Sequence, residues 1–238
     1  MNLLLLEDDE LRADDEAEVE GARAEHIRKI LKLGVGDELR AGRADGPLGR
    51  ATVTAIEPGR AKLRVRWEPE RTLPPPSPVT LALALPRSPT MAKVLQQATA
   101  MGVKRFCFFH ARRVEKSFWK AQALGPAEVR AHLRLGLEQS LDTRYPRVEF
   151  VDRFRPFAED WLGAEPALGE VLVADPRAAE TLGASKGAPR VLVLGPEGGF
   201  VDFELELFAS RGFRSVGLGP RILRVETACV AALARLDA

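Results

Sequence analysis

The sequence predicts an α/β protein with two domains, a small β-barrel followed by a larger domain with a parallel sheet. The division rests on RTLPPPSP at residues 71–78, because four closely spaced prolines enforce an extended chain and remove amide donors. Before this segment, short stretches alternate apolar and polar residues; after it, apolar runs alternate with helical patterns. We therefore predict a β-barrel domain at residues 1–72, a proline-rich linker at 73–78 and an α/β domain at 79–238.

The N-terminal domain is predicted to contain one helix and several antiparallel strands. Ile27, Ile30 and Leu31 recur at helical spacing within residues 24–33, and Gly34 follows as a stop signal. The segments DELRA, ATVTAIE and AKLRVRW alternate apolar and polar residues between glycine or proline turns, which is typical of half-buried strands. Barrels of this size commonly serve as binding modules.

The C-terminal domain is predicted to alternate buried strands with helices. VTLALALP, RFCFFH, EVLVAD and RVLVLG are continuous apolar runs, as expected for strands covered on both faces. Helices are predicted at residues 91–101, from Pro126 onwards, and from a cap at Asp202 to Gly212. SVGLG is predicted as a short strand and VETACVAALARL as the closing helix. Strands separated by helices predict a parallel sheet.

The composition is that of an ordinary globular protein, with 45% hydrophobic and 29% charged residues among 238. No apolar run approaches the roughly 18 residues of a membrane span. The opening MNLLLLEDDE lacks the basic region and cleavage site of a signal peptide. The two cysteines, Cys107 and Cys229, lack metal-ligand spacing. We therefore expect a cytoplasmic protein that binds no membrane and no metal.

Charge is distributed unevenly although the formal net charge is only +1. Residues 1–20 hold nine acidic residues and one arginine. Residues 21–72 hold twelve basic and seven acidic residues, and residues 104–155 hold twelve basic and six acidic residues. Two basic regions fit a surface for a phosphate backbone, and equally fit solvated faces that bind nothing.

Two segments, VLVLGPEGGF at 191–200 and VGLGPRILRVETA at 216–228, are the candidate ligand-binding loops. In each, a buried strand breaks into a glycine- and proline-containing turn and re-enters a helix, which is where ligands bind in parallel α/β sheets. Gly195, Gly198 and Gly199 permit close approach of backbone amides to a ligand. GxxxxGK[ST] and GxGxxG are both missing, so a nucleotide phosphate or dinucleotide is weakly supported. Either segment alone would also fit an ordinary turn.

Together the two segments resemble the signature pair of the bacterial 16S ribosomal RNA uracil-N3 methyltransferase family, within the knotted SPOUT superfamily. GPEGGF, followed by an acid-rich helix, and LGPRILRVETA match the family pattern almost without deviation. HIRKILKLGVGDELRAG also resembles the family's N-terminal segment. The resemblance is strong over residues 190–236 and looser over 24–41 and 80–105.

The resemblance implies a PUA-like RNA-binding barrel and a C-terminal SPOUT domain whose last segment forms a trefoil knot. It also implies a homodimer with its active site near the subunit interface, and S-adenosylmethionine held in a bent conformation by backbone groups of the two loops. Carried over by position, the cofactor-binding residues are Ala174, Leu194, Gly195, Pro196, Glu197, Gly198, Gly199, Leu218, Gly219, Ile222 and Leu223. Asp175 is a further candidate.

The chain departs from the family pattern at three places. Gln97 and Ala100 stand where a lysine and a glutamate are expected, and LDTR at residues 141–144 replaces the usual Gly-Arg. The usual arginine near residue 5 is missing. We expect these positions to face RNA, so the resemblance predicts a divergent paralogue with an intact cofactor site.

Arg221, Arg224 and Glu226 are the candidate catalytic residues. A guanidinium offers planar, bidentate donors that could hold an RNA phosphate or orient a uracil. Ion pairs with Glu197 or Glu226 would instead give the arginines a structural role, and a carboxylate at a helix start is favourable whatever its function. The sulfonium methyl is already electrophilic, so the reaction mainly needs alignment of the uracil nitrogen and loss of one proton. No residue of the sequence is an obvious general base for that proton.

Basic residues from both basic regions are the candidate RNA contacts. They are His26, Arg28, Lys29, Arg112, Arg113 and Lys116. Phe118 and Trp119 lie near the second group, and aromatic rings can stack on unpaired bases. A solvated helix with two core aromatics is the structural alternative for that segment.

The sequence therefore predicts S-adenosylmethionine-dependent methylation of uridine N3 in 16S ribosomal RNA. A methyltransferase acting on another RNA site is one alternative. A non-catalytic RNA-binding paralogue is another, motivated by the altered helix at 91–101. An α/β enzyme with a different nucleotide-like ligand is a third, which the missing phosphate motifs oppose.

Overall fold

The computed structural model describes residues 2–115, 125–163, 169–184 and 187–236. They divide into two compact units. The N-terminal unit comprises Met1–Pro75 and Leu137–Tyr145, and the C-terminal unit comprises Pro76–Gly136 and Pro146–Ala238. The segment Leu137–Tyr145 thus belongs to the N-terminal unit, whereas the sequence-based division assigned it to the second domain.

A five-stranded mixed sheet forms the frame of the N-terminal unit. Its strands are β1 (Leu4–Leu6), β2 (Glu16–Glu20), β3 (Glu38–Arg43), β4 (Leu48–Glu57) and β5 (Arg60–Glu68). The strand order is β1-β3-β4-β5-β2, and only β1 and β3 pair in parallel. The three predicted strands are confirmed as β3, β4 and β5. The two edge strands were missed, because β1 is apolar without alternation and β2 lies in the acidic segment.

Apolar side chains on one face of this sheet form the core of the N-terminal unit. The predicted helix at residues 24–33 contributes to it as α1 (Gly21–Glu25), which continues as a π-helical turn (His26–Ile30). The wider hydrogen-bond spacing of a π turn buries Ile27 but leaves Ile30 67% exposed. The predicted apolar helix face is therefore only partly correct.

The segment Leu137–Tyr145 covers the other face of β1. Leu137 packs with Leu3 and Leu5 in a second apolar cluster. The buried carboxylate of Glu138 accepts a hydrogen bond from the backbone amide of Leu5 at 3.2 Å. β1 is therefore buried on both sides, which explains its uninterrupted run of leucines.

In the LDTR segment at residues 141–144, two side chains are part of the interior of the N-terminal unit. Asp142 and Thr143 are buried, and the Thr143 hydroxyl donates to the Gly46 carbonyl at 2.6 Å. Asp142 accepts a hydrogen bond from the Arg144 guanidinium at 2.9 Å. The expectation that residues 141–144 face RNA is therefore wrong for Asp142 and Thr143, since their side chains are satisfied inside the N-terminal unit.

A six-stranded parallel sheet forms the frame of the C-terminal unit. Its strands are β6 (Val79–Ala84), β7 (Arg105–Phe109), β8 (Arg147–Val151), β9 (Glu170–Ala174), β10 (Arg190–Leu194) and β11 (Arg214–Val216). The order is β11-β9-β10-β6-β7-β8, and every neighbouring pair is parallel. The predicted α/β class with a parallel sheet is confirmed. The half-exposed edge strand β8 was not predicted.

The helices of this part of the chain are α2 (Ser88–Ala100), α3 (Pro126–Ser140), α4 (Phe154–Pro156, continued by a π-helical turn, Phe157–Trp161), α5 (Asp202–Ser210) and α6 (Val225–Leu236). All but α4 were predicted: α2 and α3 from periodicity, α5 from Asp202 and Gly212 as its limits, and α6 as the closing helix. Asp202 is the first residue of α5 rather than its cap, and Val201 occupies the cap position. Within the described ranges, no helix is long and apolar enough to cross a membrane.

Candidate functional site

Three chain segments leave the parallel sheet side by side at its carboxyl edge. Leu194, at the end of β10, and Val216, at the end of β11, both pair in register with Ala174, at the end of β9. A cavity of about 360 Å³ lies at this edge, within the usual size range of ligand pockets. Its walls include Ala174, Asp175, Pro176, Arg177, Leu194, Gly195, Pro196, Glu197, Gly198, Gly199, Phe200, Leu218, Gly219, Arg221, Ile222, Leu223, Val225, Ala228 and Arg113.

All eleven residues that the resemblance assigned to the cofactor line this cavity, together with Asp175. They come from three separate segments of the chain, which the parallel register of β9, β10 and β11 brings together. The structure thus gathers the residues in one place, and their role in cofactor binding stays a prediction. Sequence reasoning did not place Arg113, Arg177 or Phe200 in this site.

The first loop, residues 195–200, is shaped by glycine and anchored by an aromatic ring. Gly199 has a φ of +71°, a left-handed conformation that costs a residue with a Cβ roughly 1–2 kcal/mol. Its amide donates to the Pro196 carbonyl at 2.8 Å. The buried ring of Phe200 packs edge-on against Phe208 with centroids 5.3 Å apart. A Cβ on Gly195 would lie 3.1 Å from the Phe200 ring, so this turn accepts only glycine without displacement.

A buried carboxylate links this loop to the segment after β7. Glu204, in the first turn of α5, is 1% exposed. Its Oε2 accepts the Val201 amide at 2.9 Å, and its Oε1 accepts the Arg112 amide at 2.8 Å. The carboxylate therefore joins the end of the first loop to the segment that carries Arg113. No serine or threonine precedes this helix, so the sequence lacked the usual signal of a capping box.

Arg113 forms a wall of the cavity. Its guanidinium donates to the Gly198 carbonyl, and its Cδ would lie 3.1 Å from a Cβ on Gly198. Gly198 therefore lets the arginine chain lie directly across the loop. Arg113 was predicted as an RNA contact, and the structure places it at the candidate cofactor site instead of on a separate surface.

The second loop, residues 217–224, is held at its base by the segment after β9. The Gly217 amide donates to the Glu180 carbonyl at 2.7 Å, and the Leu182 amide donates to the Gly217 carbonyl at 2.9 Å. The far end of the loop is less constrained. Ile222 lines the cavity but is 86% exposed, so its apolar side chain is available to a ligand.

Charged groups at the cavity differ in how well they are paired. Arg177 donates to Asp202 at 3.1 Å and to Asp175 at 3.3 Å, and these hydrogen bonds raise the pKa of Arg177. Arg221 is exposed at the cavity wall, and its guanidinium has no hydrogen bond or ion pair within the part of the chain that the structure describes. The predicted pairing of Arg221 with Glu197 or Glu226 is therefore not observed there.

The other two candidate catalytic residues lie outside the cavity lining. Glu226 is in the first turn of α6, and its carboxylate accepts a hydrogen bond from Lys93 Nζ at 3.3 Å. Hydrogen bonding to its own backbone amide and to Lys93 lowers the pKa of Glu226, so it is ionised at neutral pH and is a weak base. Arg224 is exposed beside it. Of the three candidates, Arg221 alone contacts the cavity.

Two of the predicted RNA contacts on the N-terminal helix form ion pairs with one nearby carboxylate. Arg28 and Lys29 lie 2.9 and 2.7 Å from the Glu25 carboxylate, and these hydrogen bonds hold the pKa of Glu25 at about 2. His26 is half-buried. The Arg112 side chain is exposed, and its backbone amide donates to Glu204. Lys116, Phe118 and Trp119 lie outside the described residues.

Both cysteines are buried core residues. Burial raises the pKa of Cys229 to about 12 and raises the pKa of Cys107 as well, so neither thiol is a nucleophile at neutral pH. Among the described residues, no group of three histidine, cysteine or carboxylate side chains is arranged to hold a metal ion.

Comparisons with known proteins point to one family. A family model of the RNA methyltransferase domain matches residues 73–237. The ribosomal RNA small subunit methyltransferase E of Mycobacterium bovis is 32% identical over 223 residues, covering 91% of this chain and 84% of the relative. The protein of the same name from Treponema pallidum is 27% identical and covers 98% of this chain and 90% of the relative.

Solved structures share the fold. A ribosomal RNA small subunit methyltransferase E from Neisseria gonorrhoeae, bound to S-adenosyl methionine, aligns with a TM-score of 0.76 at 22% identity and covers 98% of this chain and 95% of that chain. A methyltransferase from Legionella pneumophila with bound cofactor aligns with a TM-score of 0.74 at 21% identity and covers 98% and 96%.

Proposed function

Because the chain belongs to the RNA methyltransferase family, we propose that it transfers a methyl group from S-adenosylmethionine to N3 of a uridine in small-subunit ribosomal RNA. The observation that carries this proposal is the cavity at the carboxyl edge of the parallel sheet, where both glycine-containing loops converge. The relatives named for small-subunit ribosomal RNA methylation support the substrate class, since they align over most of the chain.

The chemistry of the cavity fits S-adenosylmethionine. Leu218, Ile222 and Leu223 offer an apolar surface for an adenine ring. The carboxylates of Asp175 and Glu197 suit ribose hydroxyls or a cationic group, and the guanidinium of Arg113 suits a carboxylate. The glycines carry no side chain between the loop backbone and the cavity, which supports the proposal that backbone groups bind the cofactor.

Catalysis requires little acid–base machinery from this chain. When bound, the cofactor supplies a sulfonium methyl that is already electrophilic. The chain's part is to hold the uracil ring in line with that methyl and to exclude water. We assign the guanidinium of Arg221, which has no partner among the described residues, to the uracil or its flanking phosphate, where a positive charge favours loss of the N3 proton. We assign that proton to water, because the Glu226 carboxylate is outside the cavity lining and the lining carboxylates of Asp175 and Glu197 are assigned to the cofactor.

The decisive test uses small subunits from a strain that lacks the gene, incubated with the protein and a labelled methyl donor. Digestion and mass spectrometry are expected to place the label on N3 of one uridine. The target must be unpaired when it is modified, because N3 lies on the Watson–Crick edge. Label on a ribose 2′-hydroxyl or on transfer RNA would overturn the substrate assignment. Cofactor binding without any labelled RNA would favour the non-catalytic paralogue.

We further propose that the N-terminal unit is a PUA-like RNA-binding barrel, that the C-terminal unit is a SPOUT domain with a trefoil knot, and that the protein is a cytoplasmic homodimer. The mixed sheet of the N-terminal unit and the fold similarity to methyltransferases support the first two points. Light scattering at micromolar concentration is expected to give the dimer mass. Mechanical stretching from both termini is expected to give an extended length shorter than the full chain, because a tightened knot retains residues.

A further inference from the structure

The outer face of the N-terminal sheet, opposite its apolar core, carries a row of three arginines. Arg40 of β3 pairs in register with Arg50 of β4, which pairs in turn with Arg66 of β5. All three side chains are exposed. Residues directly opposite on antiparallel strands have Cβ atoms only about 4.5–5.5 Å apart. We call these three residues the arginine row.

Like charges directly opposite in a sheet destabilise it, and acidic neighbours offset this only in part. Glu38 lies 3.4 Å from Arg50, and Glu68 lies 4.0 Å from Arg50 and 3.8 Å from Arg66. Exposed ion pairs of this kind contribute little to stability. Among the described residues, the Arg40 side chain makes no hydrogen bond or ion pair.

The neighbouring part of the same face is neutralised. The acidic edge strand β2 presents Glu16, Glu18 and Glu20 opposite Arg64, Lys62 and Arg60 of β5. Arg60 and Glu18 are 2.5 Å apart, a close pair. The pairing of β2 with β5 ends at Arg64, so no β2 glutamate faces Arg66, and the three arginines of the row exceed their two acidic neighbours, Glu38 and Glu68.

We propose that the arginine row is a docking site for the phosphate backbone of the RNA substrate. With strands about 4.8 Å apart, three guanidinium groups span about 10 Å across the sheet, and each can bind a phosphate bidentately. An RNA strand supplies the matching series of regularly spaced anions. This inference rests on the proposed function and places the main RNA contacts of the N-terminal unit at the arginine row rather than at Arg28 and Lys29. Both of those side chains are held by Glu25, at 2.9 and 2.7 Å, whereas Arg40 has no partner among the described residues.

The test compares two triple variants of the full chain that each lose three positive charges from the same face. The first is Arg40→Gln, Arg50→Gln and Arg66→Gln; the matched control is Arg60→Gln, Lys62→Gln and Arg64→Gln. Binding of small-subunit ribosomal RNA is measured over a range of salt concentrations. The row variant is expected to bind at least about tenfold more weakly, with a salt slope reduced by about 2. The control is expected to change affinity less than about threefold, and the KM for S-adenosylmethionine is expected to be unchanged in both.

Equal losses in the two variants, or wild-type affinity in the row variant, would overturn the proposal. If the triple variant does not fold, Arg40→Gln alone carries the test, because that side chain has no partner among the described residues to lose. Unchanged RNA affinity and salt slope in Arg40→Gln would then overturn it. Failure of the proposed function gives a different result from failure of the docking proposal. If only the proposed function is wrong, wild-type protein methylates no RNA, but the row variant still binds RNA more weakly than the control does.

Discussion

The two sheets of this protein keep their charged side chains in different places. In β2 and β5 of the N-terminal sheet, charged residues alternate with apolar ones, so the outer face of these two strands is charged. In the C-terminal sheet, β9 and β10 are apolar after a first charged residue, and those residues form an ion pair at the amino edge, where Arg190 lies 3.3 Å from Glu170.

The difference follows from what covers each sheet. A sheet with one face in contact with solvent can bind a ligand on that face, whereas a sheet buried on both faces can bind one only where its strands end. The C-terminal unit accordingly has its cavity at the carboxyl edge, with Arg221 unpaired there among the described residues. Substrate docking and chemistry are thus expected to respond to different substitutions.

The largest expected effect is at the loop after β10. Gly199→Val is expected to weaken S-adenosylmethionine binding by at least about 100-fold, because a β-branched residue is strained at a φ of +71°. Gly198→Val is expected to do the same by displacing the chain of Arg113. Calorimetry measures both. Gly183→Val is the matched control, since a Cβ at Gly183 meets nothing within 4 Å. Unchanged affinity in both loop variants would show that the loop is only a turn.

Arg221→Ala separates chemistry from cofactor binding at the same edge. Loss of a positive charge beside the uracil is expected to lower kcat by about 100-fold. Cofactor affinity is expected to change little, because the Arg221 side chain has no bond to the loop backbone among the described residues. Single-turnover methylation rates measure the effect, and Arg224→Ala, outside the cavity lining, is the control. Equal rates for the two variants would remove the role assigned to Arg221.

Glu204→Gln tests the link between the first loop and the segment that carries Arg113. A glutamine oxygen can accept only one of the two amides, since its Nε2 is a donor. One buried donor is left unsatisfied, which is expected to lower the free energy of unfolding by about 1–3 kcal/mol and to raise the KM for cofactor. Denaturant titration and kinetics measure the two effects. The exposed Glu206→Gln on the same helix is expected to change neither.

The smallest effect is expected in the N-terminal unit, at Glu25. Its folded-state pKa of about 2 lies below the ordinary 4.5, so its contribution is present above about pH 4.5 and is lost as pH falls towards 2. The melting temperature of Glu25→Gln is therefore expected to lie slightly below wild type at neutral pH and to converge with it near pH 2. Glu70→Gln, an exposed site, serves as the control. A constant difference across this range would contradict the assigned ion pairs.

The unit boundaries show why tertiary structure is needed to design experiments on this protein. The proline-rich segment suggests that residues 1–72 can be deleted cleanly. In the structure, Leu137, Leu141 and Tyr145 pack against the apolar cluster of Leu3 and Leu5, so that deletion would expose them. Substitutions on the outer face of the sheet are therefore the better test of RNA docking.

The sequence by itself determined most of the helices and strands and the two loops at the carboxyl edge of the parallel sheet. Apolar runs identified four strands of the parallel sheet, and the turns at 195–200 and 217–224 identified the loops that line the cavity. These features can be predicted locally, because strand burial and glycine turns depend on residues that are adjacent in the sequence. The family resemblance added the cofactor and the prediction of the residues that bind it.

Only the tertiary structure decided which charges are free. Arg28, Lys29 and Arg40 are alike as basic residues in a basic region, yet the first two form ion pairs with Glu25, while the third has no partner among the described residues. The pairing of Arg40, Arg50 and Arg66 depends on strand register, and the hydrogen bond from Arg112 to Glu204 joins residues 92 positions apart. Electrostatic pairing falls off over a few ångströms, and distances of that size between remote residues are set by the fold.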